Sequence, residues 1–377
     1  MDKRKILKIS GIILLFLFLI ITWLVFTRSG RRVIYKIAGG IIYQGLDKGE
    51  DLEENPVIIP FEKETKKEEK NNTTKTEDTE NNEANNQEEK IEDLPKILPE
   101  PRQEDYVSNY LLFGLEEILD AQNTDTIMIA SINTKDNTIK LTSILRDTYI
   151  ESEEYRSHKI NSIFALGGAK AFVKVIEEKF RINIDGYAYI NFDSFEKIID
   201  YLGGISMELG DEEAEYLNTT NYISNPANRT VTPGWNELNG NQALGYCRIR
   251  LVKTLGGAND DYGRTLRQRR VVKAVFNRYK SKGIIDLFRI SNNILGYVKT
   301  NVNRQQIEEA LENIIENKIT KMETIRLPIN GAYEAPNKYK SIGYPLLYDW
   351  DENITQLYQF IYLDTREEAE INMEKYR

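Results

Sequence analysis

Cysteine and histidine each occur once in the 377 residues, as Cys247 and His158. A single thiol excludes an internal disulfide framework and a thiolate-bound metal cluster, while leaving the redox compartment open. Cys247 reads as a small buried residue. The lone histidine sits in the polar stretch "YRSHKIN", which supplies neither a metal cluster nor local support for a serine-histidine-acid triad. Glycine-rich phosphate loops are missing as well: with no GxGxxG and no GxxxxGKS, a nucleotide site has no motif to stand on. Basic charge is in deficit, with 50 Lys and Arg against 59 Asp and Glu for a net charge of -9. That balance argues against a nucleic-acid reader, which presents a basic face.

What is present begins with an apolar content of 41%, adequate for a packed core. After Lys3, Arg4, Lys5 and Lys8, the run "ISGIILLFLFLIITWLVF" extends from Ile9 to Phe26 without a charge. Eighteen residues at helical rise cover about 27 Å, close to the hydrocarbon thickness of a bilayer. The expectation is a cytoplasmic or external N-terminus over 1–8, a transmembrane anchor over 9–27 and a juxtamembrane stalk over 28–60. Arg28, Arg31, Arg32 and Lys36 match the basic charge on the near side, so the positive-inside rule leaves the orientation open. From 61 to 104 the acidic, Asn- and Thr-rich composition buries too little to offset chain entropy and predicts a disordered linker. A folded domain is expected over 105–365 and a charged tail over 366–377.

Within the domain, "NYLLFGL" reads as a buried strand. "TDTIMIASINTKDNTIKLTSILRD" reads as two strands joined by a turn at Asp136 and Asn137. Helical periodicity runs from Gly168 to Phe180, a strand follows in "IDGYAYINF", and Phe195, Ile198, Ile199 and Leu202 form an apolar stripe that stops at Gly203 and Gly204. Further helices are expected over 303–316 and 352–362, with a strand over 322–327. Strands mixed with crossovers of this length predict an α/β (α+β mixed) layered domain.

The charged residues then define candidate sites. "LGYCRIR" alternates, so as a strand it places Tyr246, Arg248 and Arg250 on one face, about 6.6 Å between the arginines. Guanidinium forks so spaced suit a pyrophosphate; a decorated solvent-facing edge strand is the competing reading. In "DDYGRTLRQRR" a helix starting near Gly263 would bury Val271, Val272, Val275, Phe276 and Tyr279, and Arg264 falls in the same arc. Arg267 and Arg269 lie near its borders, Arg270 points away, and Arg269 and Arg270 read as surface. An inward arginine is costly unless an anion satisfies it, which marks Arg264. In "ILRD" Arg146 can reach a phosphate while Asp147 orients a neighbouring basic side chain; a local salt bridge between the two is the competing reading. Asp125 and Asp261 are hard oxygen ligands able to share Mg²⁺, or alternatively turn and cap residues.

The motifs "TDTIMIASI", "SILRDTYI", "HKINSIFALGG", "FDSFEKIIDYLGGISMEL", "LNGNQALGYCRIR" and "DDYGRTLRQRR" occur in an order that resembles the LytR-CpsA-Psr family, from about Tyr110 to Tyr279. The resemblance implies a cytoplasmic N-terminus, one transmembrane helix and an external domain: a central mixed sheet flanked by helices, preceded by that anchor. It implies transfer of a glycan polymer, such as teichoic acid or capsular polysaccharide, from undecaprenyl-pyrophosphate to peptidoglycan. The partners so implied are the lipid-linked glycan, peptidoglycan and the lipid bilayer, without nucleic acid.

By the same resemblance Asp125 and Asp261 correspond to metal-associated aspartates for Mg²⁺, with Mn²⁺ as the alternative. Arg146, Arg248, Arg250 and Arg264 correspond to pyrophosphate-contacting arginines, with Arg267 as a supporting contact. Ile163, Phe172, Val173, Ile176, Phe195 and Ile198 are candidates for an apolar prenyl tunnel, or for ordinary core. Two positions depart from the family pattern: Glu116 stands where aspartate is usual, and Asn123 where arginine is usual. The alternative they leave open is a polyprenyl-pyrophosphate or glycan binding protein without transfer activity.

Overall fold

Two long strands organise the chain. In the computed structural model, which describes residues 22–23, 27–48, 100–118, 121–152, 155–281 and 293–376, β1 (Val107–Ile118) and β2 (Ala121–Asn133) pair antiparallel over their whole length. β2 continues antiparallel into β3 (Thr138–Ile144) across the turn at Asn137, whose φ is 58°. β6 (Gly186–Asn191) adds parallel to β1, β10 (Lys321–Leu327) adds parallel to β3, and the short β9 (Lys299–Thr300) closes the far edge. The sheet order is β10-β3-β2-β1-β6-β9, a mixed sheet as expected from the alternation of strands and long crossovers.

Period-two alternation in β1 sends its residues to opposite sides of this sheet. Leu111, Phe113 and Leu115 face the main core, which they share with Phe172, Ile176 and Phe180 of α2 (Ile163–Phe180) and Leu357, Tyr358 and Ile361 of α8 (Trp350–Tyr362). Gly168, at φ 68°, interrupts α2 near its start, in line with a turn before the regular helix. On the opposite side, Met128, Ile132 and Leu141 meet Val272 and Phe276 of α6 (Asp260–Lys280) and Ile314 of α7 (Arg304–Glu316). A third cluster joins α3 (Phe192–Tyr201), α4 (Asp211–Thr219) and α5 (Gly240–Arg248) to the hairpin of β7 (Ile205–Leu209) and β8 (Gly234–Leu238).

Three expectations change. First, among the described residues no helix is long and apolar enough to cross a membrane, so the transmembrane helix and the single-pass topology built on it are not found. Of the stretch 9–27, residues 9–21 and 24–26 lie outside the described residues, as does 61–99 of the linker. The first described helix, α1 (Arg28–Gly45), is basic and docks sideways on α7: Arg31 and Tyr35 both donate to Glu316, at 2.6 and 2.8 Å.

Second, "LGYCRIR" is not a strand. Asn239 accepts from the Gln242 amide at 2.9 Å while Gln242 returns the bond to the Asn239 amide at 3.0 Å, and this capping box starts α5, which runs to Arg248. Third, the stretch 366–377 includes α9 (Arg366–Lys375), capped by Thr365, with Ala369 and Met373 buried in the main core.

Candidate active site

The site forms where four chain segments end on the α6 side of the sheet. In β2 the register with β1 jumps between Gly114↔Thr126 and Leu115↔Thr124, leaving Asp125 as the extra residue of a bulge. Such a kink re-aims one side chain; Asp125 turns into a cavity of about 450 Å³. Arg146 follows directly on β3, at the same end of the sheet. Arg248 closes α5, and Arg250 lies just beyond, where its carbonyl accepts from the Asp260 amide at 3.0 Å and ties off the 251–259 excursion. α6 therefore begins at Asp260, earlier than periodicity suggested, and presents Asp261, Arg264 and Gln268 on one face.

These segments interleave acids and bases. Arg146 donates to Asp125 at 2.5 Å and sits 3.6 Å from Asp261. Arg264 reaches both aspartates, 3.7 Å from Asp125 and 3.2 Å from Asp261, and is only 4% exposed. Arg250 Nε lies 2.8 Å from Asp261 Oδ1. Asp147 accepts from Lys159 at 2.8 Å, so it orients a neighbouring base as expected of "ILRD". Arg248 stands 3.6 Å from Glu116 and packs its guanidinium 5.0 Å from the Phe192 ring and 5.8 Å from the Tyr222 ring. Five of the seven anticipated site residues thus line one cavity, and a sixth, Asp261, stands against three of their arginines.

Several of these groups are not satisfied by the protein. Arg146 Nε, Arg264 Nε and Arg264 Nη2 are buried without a hydrogen-bond partner, as is Asp261 Oδ1. Burial lowers the Arg264 pKa against the opposing pull of Asp261. Unpaired guanidinium donors in a cavity are the complement of an incoming oxyanion. Glu116 is hydrogen-bonded to Asp125, and that bond, with burial, pushes its carboxyl up to about 7. Burial would raise Asp125, but the Glu116 hydrogen bond together with Arg146 and Arg264 holds it below its usual range. The two carboxyls therefore share a proton around neutral pH. Away from this polar mouth the cavity is apolar, lined by Leu112, Met128, Ile198, Leu244, Val271 and Val298.

Other anticipated residues go elsewhere. Arg267 is fully buried and bonded to Glu213 at 2.7 Å and to the Ile249 and Val252 carbonyls, so it braces the fold and does not reach the cavity. Of the tunnel candidates, Phe195 and Ile198 line the cavity, whereas Ile163, Phe172, Val173 and Ile176 belong to the core on the other face of the sheet. Arg269 is buried, and Arg270 is held by the Leu255 carbonyl at 2.5 Å, so neither is plain helix surface. His158 lies half-buried in β5 (Arg156–Lys159), opposite Ile150, and burial lowers its pKa. Cys247 also lines the cavity; burial raises its thiol to about 12, which leaves it inert. Gln268 and the aromatic pair around Arg248 were not anticipated. Gln268 follows Arg264 by one helical turn, which was its only signal; Phe192 and Tyr222 lie 56 and 26 residues before Arg248 and carried none.

The LytR_cpsA_psr family model matches residues 61–348. The chain belongs to the LytR_cpsA_psr family. It is 28% identical over 239 residues to regulatory protein MsrR of Staphylococcus aureus strain Mu50, covering 63% of this chain and 69% of MsrR. It is 30% identical over 227 residues to the polyisoprenyl-teichoic acid–peptidoglycan teichoic acid transferase TagU of Bacillus mycoides, covering 60% of this chain and 69% of TagU.

The crystal structure of Bacillus subtilis TagT shares the fold at a TM-score of 0.53, 22% identity, 68% of this chain and 92% of that one. A TagT structure with bound octaprenyl pyrophosphate lipid gives a TM-score of 0.50 at 22% identity, over 68% and 91%. In this LytR_cpsA_psr domain no group of three or more His, Cys, Asp or Glu side chains forms a metal cage among the described residues. Mg²⁺ has another mode, in which one or two carboxylates are completed by substrate phosphates and waters; the carboxylates available for it are Asp125 and Asp261, which share Arg146 and Arg264 as partners, with Asp261 Oδ1 2.8 Å from Arg250 and 3.2 Å from Arg264.

Proposed function

We propose that this chain is a phosphotransferase that moves a glycan polymer from a polyprenyl pyrophosphate carrier to peptidoglycan; its relative TagU is by name a polyisoprenyl-teichoic acid–peptidoglycan teichoic acid transferase. One observation carries the reading: a single cavity joins a mouth of partly unsatisfied arginines to an apolar interior, the shape of a pyrophosphate attached to a hydrocarbon tail.

In the reaction an acceptor hydroxyl attacks the phosphorus that bears the glycan. A new P–O bond forms, the bridging P–O bond of the pyrophosphate breaks, polyprenyl monophosphate leaves with the electron pair, and the hydroxyl proton passes to one of the active-site aspartates. Arg146, Arg248, Arg250 and Arg264 hold the phosphate oxygens in line. Charge placed in advance around a transferring phosphoryl group is the main lever in this chemistry. Asp125 and Asp261 would hold Mg²⁺, which supplies further charge neutralisation on those oxygens when bound. The apolar interior takes the prenyl chain and keeps water from the phosphorus. Asp125 and Glu116, sharing a proton beside the mouth, keep the carboxylate charge low until substrate arrives.

The test incubates the purified chain with a polyprenyl-pyrophosphate-linked glycan, peptidoglycan fragments and Mg²⁺. Wild type is expected to yield glycan covalently bound to the fragments, with Arg264→Ala and Asp125→Ala strongly impaired. Lipid binding without transfer, under conditions where TagU is active, would leave a binding protein of envelope assembly. Equal activity in all three proteins would remove the residue assignment.

A further inference from the structure

Arg269 is a buried cation that the reaction above does not use. It is 8% exposed, its Nε and Nη1 are buried without a hydrogen-bond partner, and no carboxylate lies within ion-pair distance among the described residues. Its charged neighbours are two more cations, Arg326 and Arg270; burial first, and then these two, push its pKa down to about 10, so it remains charged at neutral pH. Arg270 is engaged elsewhere, on the Leu255 carbonyl and, at 3.5 Å, on the Tyr246 hydroxyl.

Arg326 comes from β10. Its guanidinium lies 4.4 Å from the Tyr262 ring and donates to Asn330 at 2.7 Å, so the side chain faces α6. Directly beside it in register is Ser143 of β3, itself opposite Met128, whose side chain packs against Val272 and Phe276 of α6. Ser143 therefore faces α6 too, and its Oγ is buried without a partner. At 100° per residue Arg269 lies about 80° around α6 from Asp261, about 140° from Arg264, and about 12 Å further along the axis than Asp261. It occupies the adjoining face of the helix.

A guanidinium left unpaired in the interior, with a second one as its charged neighbour and an idle hydroxyl on the sheet face that its helix covers, is unfavourable unless something anionic completes the set. The planar fork selects an oxyanion of phosphate geometry. We propose that Arg269, Arg326 and Ser143 form a second oxyanion site, separate from the pyrophosphate cluster, that takes one phosphate-class group at the edge of Tyr262. Tyr262 follows Asp261 in sequence and its hydroxyl contacts that of Tyr333. A phosphodiester carried by the polymer beyond the reacting phosphorus is one source of that group, and free phosphate is the other. Only the first rests on the transferase reading.

The experiment follows the thermal midpoint of the full-length protein. The pyrophosphate cluster is first saturated with methylenediphosphonate, and inorganic phosphate is then titrated. Wild type and Arg264→Gln are expected to show a further rise with phosphate; Arg269→Gln and Ser143→Ala are expected to need about tenfold more phosphate for it. An unchanged phosphate response in both variants overturns the site. So does a response that only Arg264→Gln abolishes, or an Arg269→Met protein that is more stable than a wild type indifferent to phosphate.

Transfer assays then separate the sources. A KM raised in Arg269→Gln for donors with phosphodiester repeats, but not for donors without them, assigns the polymer. Lost phosphate binding with both KM values equal assigns free phosphate. If no donor is transferred at all, the transferase reading fails while the titration still decides this site.

Discussion

Arg267 and Glu213 are both wholly buried and meet at 2.7 Å, bridging α6 and α4. Glu213 also accepts from the Gly210 amide at 2.9 Å, and Arg267 spends its remaining donors on two carbonyls. Removing one partner strands the other charge, a loss of about 3–5 kcal/mol. Arg267→Ala and Glu213→Ala are therefore expected to lower unfolding free energy by that amount in denaturant melts. An Arg267→Ala protein of normal stability with weakened lipid-pyrophosphate binding would return this residue to the site.

Three residues earlier on the same helix, Arg264 is expected to behave the opposite way. Its Nε and Nη2 lack hydrogen-bond partners, and Asp125 and Asp261 keep Arg146 and Arg250 when it is removed. Arg264→Ala should cost no more than about 1 kcal/mol of stability. Transfer should fall about 10²- to 10³-fold, the size of one lost preorganised donor at a developing charge. Paired measurement of the melt and of kcat checks both halves, and a large stability loss would mark Arg264 as a brace like Arg267.

How much of this was readable beforehand depends on the range over which each feature is decided. The β1–β3 meander and the inward side of Arg264 follow from local alternation and helical phase, and both are visible in a short window. The fate of "LGYCRIR" was also local but ambiguous: residues 246 and 250 share a side in a strand and nearly share one in a helix. The Asn239 to Gln242 capping box upstream was the deciding signal. Arg267 was not decidable, because its partner Glu213 is 54 residues away and reaches it only through the packing of α4. Arg269 has as its charged neighbour Arg326 of β10, 57 residues further on and beyond β9 and α7 in the chain. Four of the six tunnel candidates turned out to be ordinary core for a related reason: apolar periodicity marks a buried face without saying which side of a sheet it covers.

The two departures from the family pattern are physically one feature. Glu116 and Asn123 lie directly opposite each other in the β1–β2 register, so the acid at 116 lacks the guanidinium that the usual residue at 123 would supply. Its proton is bound more tightly in the folded protein, with a pKa of about 7 against an ordinary value of 4.5. Between those values the native state holds more protons than the unfolded chain, so this group's contribution to stability falls as pH rises. Wild type should lose about 1 kcal/mol from pH 5 to 8 through this group after allowance for solvent screening. Glu116→Gln should flatten that slope, and Asn123→Arg should shift it to lower pH. Melts across pH 5–8 for the three proteins decide it, and a slope unchanged by Glu116→Gln would place the shared proton elsewhere.

The apolar interior makes a prediction about donor length. Ile198 lines the cavity from α3, is half-buried, and shares that lining with Val271 of α6, so a larger side chain there fills cavity space first. Each buried methylene of a prenyl chain contributes about 0.8 kcal/mol, so chain length reads directly on affinity. Ile198→Trp should raise KM about tenfold or more for a long polyprenyl donor while leaving a donor of one or two isoprene units nearly unaffected. Because the pyrophosphate end is untouched, kcat for the short donor should stay within about twofold of wild type. Equal KM increases for both donors would mean that the tail leaves the protein at the arginine mouth and that the cavity beyond it holds something else.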